Sequence, residues 1–519
     1  MERNAAARRA VAIRGVLGRS GGPASSGLAA PLGLLAIVAV CGACGGPRDG
    51  SGTASPVVTS RADAGDTLDG PSRGAEDAGV TDAGNEGVTD AGRSPACAET
   101  SATPGPWERA VLGSHGVARA LRSGGEATFG GFVQEIEGRG EVHLRFFGAH
   151  AFDLLDKLAS EGGSTDADRR KMICAALNDV ANRGAPVVRI WGTLKRTGSS
   201  EEIARAREML SLLLDENGRR KRPLRFVVSL LNHQPGYGLP DPEVSLDDQK
   251  AAGWSAKEVY LEGGWQKAGV GQMKERIEKY REDFTIREDP YVLAWELVNE
   301  LDTFRSVARG AFAGPEADKL IGTFLVPAAT LLQESFPQPI VLADFRGSLK
   351  GYPAFADKAV RALPEGVSRR LVWTSHVYVE TTNPAPSAEE AKKLLQTATR
   401  KIDVDAEIAK KLGVPFLLGE IGQLVKGAKT AYCQGGAEHD LAGLLRGVLS
   451  PAEDPHKRRE IDAALFWGEG MCGLRIGDGP SARTVNIGAG GDSADLGPSE
   501  ADARKTLQEV RGSGRFVTR

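Results

Sequence analysis

Residues 291–300 read Tyr-Val-Leu-Ala-Trp-Glu-Leu-Val-Asn-Glu, an apolar run that closes on an amide and a carboxylate. A short run rich in apolar, β-branched and aromatic residues predicts a strand buried on both faces, as in parallel sheets wrapped by helices. Runs of similar texture lie on either side of it. Residues 142–149, 186–191, 224–232, 291–299, 339–344, 371–379, 415–419 and 463–467 make eight candidate strands. Amphipathic stretches separate them. Residues 166–183 place Ile173, Leu177 and Val180 on one helical face and stop before Gly184, while Ser387 and Glu390 have capping-box spacing ahead of a long helix reaching about Leu412. This alternation predicts a (β/α)8 TIM barrel over residues 97–519. Residues 134–140 read as part of a small hairpin ahead of it.

In such a barrel the site lies at the C-terminal ends of the strands, so the polar residues that close apolar runs are the candidates. Asn299 and Glu300 close the fourth run and Glu420 closes the seventh, 420 − 300 = 120 residues later. Two carboxyl groups facing each other across a barrel mouth are what glycoside hydrolysis needs, one to protonate the leaving oxygen and one to attack the anomeric carbon. Arg189 and Trp191 end the second run, Asn232 and His233 the third, His376 and Tyr378 the sixth and Trp467 the eighth. Glu296, inside the fourth run, is expected to be a buried partner for another polar residue. Trp191 is either a stacking platform for a sugar ring or core, and Trp265 is read as core. His150 and His233 are open between substrate contact and a structural role.

These residues, in this order, resemble glycoside hydrolase family 5 and its clan of retaining barrel glycosidases. The likeness covers most of the chain between Phe146 and Gly468, and it is strongest to the endo-β-1,4-mannanases. Arg189-Ile190-Trp191, Ser229-Leu230-Leu231-Asn232 with Tyr237-Gly238, and Ala294 through Glu300 carry it. The resemblance implies Glu300 as acid/base and Glu420 as nucleophile. It also implies Asn299 on the sugar 2-hydroxyl, Arg189 and Tyr378 supporting the nucleophile, His376 lining the site and Trp467 beneath the sugar. Leu301-Asp302 stands where that family commonly has Pro-Arg, and His233-Gln234-Pro235 replaces its polar-aromatic pair. Both departures touch substrate subsites, which bears on the identity of the polysaccharide. The expected reaction is double displacement on mannan or glucomannan. A β-1,4-glucanase or other β-glycosidase, and a surface lipoprotein that binds sugar without cleaving it, are the alternatives.

Sixty-five basic residues against 68 acidic ones leave a formal net charge of −3, which gives no footprint for a nucleic acid. Arginines up to Arg19 precede an apolar run from Leu28 to Val40 that ends in Cys41-Gly42-Ala43-Cys44. That is the pattern of an export segment, 1–44, with Cys44 or Cys41 as the lipid site of a lipoprotein or with plain cleavage. Residues 45–96 are rich in Gly, Ala, Asp, Ser and Thr and poor in large apolar side chains, so they read as a flexible linker. The expected location is secreted or envelope-anchored, and the expected state is a monomer. Cys97, Cys174, Cys433 and Cys472 allow three disulfide pairings, with Cys433–Cys472 favoured and Cys174 read as a small buried hydrophobe. The seven histidines show no metal-ligand spacing, and no cofactor is expected.

Overall fold

The computed structural model describes residues 109–485 except for 124–126, 145, 183–185, 195–198, 232–255, 268–271, 302–313, 345–351, 383–387, 427–460, 462, 467–473 and 477–482. The export segment, the linker, Cys97, Asn232, His233, Cys433, Trp467 and Cys472 lie outside the described residues.

Three antiparallel strands come first: β1 (Val117–Ser123), β2 (Ala127–Ile136) and β3 (Gly140–Leu144), in the order β1-β2-β3. Then follow β4 (Phe146–His150), β5 (Val187–Trp191), β6 (Arg225–Ser229), β7 (Val292–Val298), β8 (Ile340–Asp344), β9 (Leu371–Thr382), β10 (Phe416–Lys426) and β11 (Ala463–Phe466). These eight pair in parallel, each with the next, and β11 returns to β4 to close the barrel. Each expected strand has its counterpart, with one correction. The run 142–149 is two strands, because its first half finishes the β2-β3 hairpin and only its second half enters the barrel.

The reason lies in the core. Ala118, Phe132, Ile136, Val142 and Leu144 of the small sheet share one apolar cluster with Phe146 and with the inward residues Val187, Val227, Val341, Val372, Leu417 and Leu465 of the barrel. The hairpin sheet therefore plugs the N-terminal end of the barrel and keeps water from the interior. Gln134 pins it in place, donating to the Pro290 carbonyl at 2.6 Å and accepting from Arg225 Nε at 2.7 Å.

The opposite faces of the strands meet the helices. Val188, Ile190, Trp295, Leu297, Trp373, Val377 and Leu418 join Ile173, Leu177, Leu210, Leu213, Ile277, Leu332 and Ile402 in a second, larger cluster. Helices Asp166–Asn182 and Ala388–Leu412 fall where the sequence predicts them. No helix among the described residues is long and apolar enough to cross a membrane.

Candidate active site

Strand β5 alternates, so Arg189 shares the inner face with Val187, while Val188 and Ile190 face the helices. At 1% exposure the Arg189 guanidinium is buried at the barrel mouth, and it must find acceptors there. It finds three. Nη1 donates to Glu420 Oε1 at 2.7 Å, Nη2 to Asn299 Oδ1 at 2.6 Å, and Nε to Glu296 Oε2 at 2.8 Å. Burial alone would weaken its hold on the proton, but Glu296 and Glu420 outweigh that and keep it charged.

Glu420 reaches this point through a bulge. Leu418 pairs with Ser375 and Glu420 with His376, so Gly419 is an extra residue on β10. From the inward Leu417, simple alternation would send Glu420 toward the helices; the extra residue turns it back into the mouth. A Cβ on Gly419 would stand 2.5 Å from Thr374 Oγ1 and 3.0 Å from His376 Nε2. Only glycine fits there.

Strand β7 ends after Val298, so alternation stops and both Asn299 and Glu300 reach the mouth. Glu300 has φ +49°, a left-handed conformation uncommon for a residue with a side chain and often found at functional sites. His376 Nδ1 lies 3.2 Å from Glu300 Oε1 and 3.3 Å from Glu420 Oε2, between the two carboxyl groups. The Tyr378 hydroxyl, two residues on along the same face of β9, donates to Glu420 Oε2. His150 Nε2 is 2.7 Å from the Gly419 carbonyl, which can only accept, so that nitrogen carries the proton. Burial, then the charge of Arg189, hold His150 well below the ordinary histidine value, so it is neutral.

One oxygen of Glu300, one of Glu420 and a ring nitrogen of His376 all lie within 4.8 Å of one another. By donor type the trio could take a divalent cation, but the Arg189 charge 2.7 Å from Glu420 opposes a second positive centre. Burial and the charge of Glu300 push the Glu420 carboxyl up to about 8, against the pull of Arg189 and Tyr378. Carboxyl groups this close release their protons in two steps that belong to the pair. Such a pair can offer an acid and an anionic nucleophile at once.

The structure thus brings together Arg189, Asn299, Glu300, His376, Tyr378 and Glu420. Trp191 needs a correction as a platform: its ring packs on Phe152 with centroids 4.3 Å apart, and at 1% exposure it presents no open face to a sugar. Trp265 is core, with its indole N–H on the Thr323 carbonyl. His150, open in the sequence between substrate contact and a structural role, touches the backbone beside Glu420. Gly419, which makes the bulge, is the residue the sequence reading did not single out. A glycine inside an apolar strand run, directly before the carboxylate that closes it, is a signal for such a bulge.

No family model matches the chain. Over 301 residues it is 26% identical to "Putative mannan endo-1,4-beta-mannosidase 5" of Oryza sativa subsp. japonica, an alignment covering 52% of this chain and 57% of that protein. The chain thus spans little more than half the length of that relative. The crystal structure of a glycoside hydrolase family 5 mannosidase from Rhizomucor miehei superposes with a TM-score of 0.51 at 13% identity, covering 72% of this chain and 95% of that one. The chain is similar in sequence to a protein named for mannan hydrolysis and in fold to a family 5 glycoside hydrolase. At that identity the solved structure speaks for the barrel, and the site residues rest on the geometry above.

Proposed function

We propose that the chain is a retaining β-glycosidase that cleaves β-1,4-mannan or glucomannan by double displacement. One observation carries the reading: oxygens of Glu300 and Glu420 lie within 4.8 Å of each other. Retaining enzymes hold the two carboxyl groups about 5–5.5 Å apart, whereas inverting ones need about 6.5–9.5 Å to admit a water. The similarity to a protein named for mannan hydrolysis supports the choice of polymer.

Glu420 is the nucleophile in this mechanism because Arg189 donates to one of its oxygens and Tyr378 to the other, which orients the attacking carboxylate, and Glu300 is the acid. Glu420 attacks the anomeric carbon while Glu300 gives its proton to the leaving oxygen. Glu300 then takes a proton from the water that frees the sugar, and Glu420 leaves. Asn299, fixed by Arg189, presents its amide N–H group toward the sugar 2-hydroxyl. Asn232, His233 and Trp467 complete the sugar subsite in this proposal.

We also propose that the protein is exported and tethered through Cys44, and acts as a monomer on a polysaccharide outside the cytoplasm. The basic and apolar start of the chain supports this, as does Cys174, which is disulfide-bonded, a bond that persists in oxidising compartments. That bond corrects the reading of Cys174 as a buried hydrophobe. Its partner lies outside the described residues.

The test is release of reducing ends by the full chain from mannan, glucomannan, cellulose and xylan, with the product anomer followed by NMR. Mannan cleavage giving the β-anomer first, and falling by about 10³-fold or more in Glu300→Ala and Glu420→Ala, is expected. The α-anomer appearing first, or turnover that survives both changes, would overturn the mechanism; turnover confined to cellulose or xylan would overturn the substrate.

A further inference from the structure

Arg189 is shared between two carboxylates, and only one of them belongs to the proposed reaction. Glu296 takes Nε at 2.8 Å and Nη2 at 2.6 Å, both on Oε2, while Glu420 takes Nη1. Glu296 is 1% exposed, too deep to touch a sugar or water. Its place on β7, four residues before Glu300, sets it one layer below the mouth, and Ser229 from β6 hydrogen-bonds it from the side. A guanidinium is planar, so fixing the Nε–Nη2 edge fixes the direction of Nη1.

Building on the retaining mechanism above, we propose that Glu296 is a positioning residue. It aims Nη1 of Arg189 at Glu420, and it takes up part of the guanidinium charge that would otherwise bind the nucleophile too firmly. A buried Arg–Glu420 pair alone would favour the carboxylate so strongly that it became a weak nucleophile; a second carboxylate on the same arginine offsets this. The groups gathered around Glu420 and its arginine are His150 from β4, Arg189 itself from β5, Asn299 and Glu300 just past β7, and His376 and Tyr378 from β9. Among these, Arg189 is the one fixed positive charge and His150 is neutral.

Glu296→Gln keeps the shape and the acceptor for Arg189 but removes the charge. Arg189 then acts on Glu420 undivided, and the limb of the kcat/KM profile on mannan that Glu420 sets should move down in pH by about one unit, with KM within about threefold. Glu296→Asp keeps the charge but shortens the reach, so the limbs should stay in place while kcat falls by about tenfold or more. A merely structural glutamate predicts something different, namely a lower Tm with unmoved limbs in Glu296→Gln and an unchanged kcat in Glu296→Asp. Either of these would overturn the proposal, and Glu296→Asp alone decides it if Glu296→Gln does not fold. Glu300→Ala and Glu420→Ala serve as controls: if they stay active, the mechanism fails, whereas if they are dead and the Glu296 variants match the wild type, this proposal alone fails.

Discussion

Gly419 and Glu420 show how much of the site depends on single positions. The bulge exists because Gly419 has no side chain, and Thr374 Oγ1 and His376 Nε2 occupy the space a methyl group would need. Gly419→Ala should therefore displace His376 and Glu420 together. Activity on mannan is expected to fall by about 10²-fold or more, with a smaller loss of stability; a variant with wild-type kcat would show that the strand can shift without moving the carboxylate. The raised Glu420 carboxyl makes a second prediction. It must be ionised to attack, so the acid limb of the rate profile should lie near pH 8, with activity rising as pH increases through that value. In Glu300→Gln the charge that raises Glu420 is gone. A nucleophilic reaction with an activated aryl glycoside, which needs no acid, should then keep its rate well below pH 8.

At the scale of elements, the inner face of β9 can be accurate only because its outer face is anchored. Ser375 Oγ donates to Asp405 Oδ2 at 2.8 Å and the Trp373 indole N–H to Asp405 Oδ1 at 3.3 Å, tying the strand to helix Ala388–Leu412. Asp405 is 1% exposed, so Asp405→Ala would leave two buried donors without this acceptor, at a cost of about 1–3 kcal/mol each. Thermal unfolding should show a drop of several degrees, and an unchanged Tm would mean that the helix does not hold the strand. Strand β7 follows the same plan. Trp295 faces outward, stacked on Phe336 with centroids 4.3 Å apart and bonded to Gln338, while Glu296 on the opposite face holds Arg189. Alternation in the run 291–300 was readable from sequence, but which of its two faces was inside was not. Both faces are buried, one by helices and one by the barrel core, so polarity gives no sign.

For the molecule as a whole, the buried carboxyl groups make stability depend on pH with a definite sign. Burial pushes Asp289 up to about 7, against two backbone N–H donors, and Glu420 up to about 8. The folded chain therefore holds protons that the unfolded chain has already released, and the stability they contribute is lost as pH rises through these values. His150 acts in the opposite sense, but only below about 6.5. Between pH 6.5 and 8.5 the Tm should fall, and less steeply in Glu420→Gln; a Tm that rises across this range would contradict the burial of these groups. Reduction of the Cys174 disulfide should lower the Tm as well.

The sequence by itself determined the barrel, because eight apolar runs alternating with amphipathic stretches can bury their surfaces in few other ways. It also determined which residue types stand at the strand ends, since a carboxylate closing an apolar run is visible in one dimension. It did not determine the split of the run 142–149, because passing from an antiparallel sheet into the barrel leaves the apolar pattern unbroken. Nor did it show that Trp191 is covered or that Cys174 is bonded. The partners of Arg189 were decided only by the tertiary structure, for they lie 107, 110 and 231 residues away along the chain. Local periodicity reports which face a residue takes on its own strand. Closure of the barrel sets which faces meet, and with it whether Glu300 and Glu420 stand close enough to act on one bond.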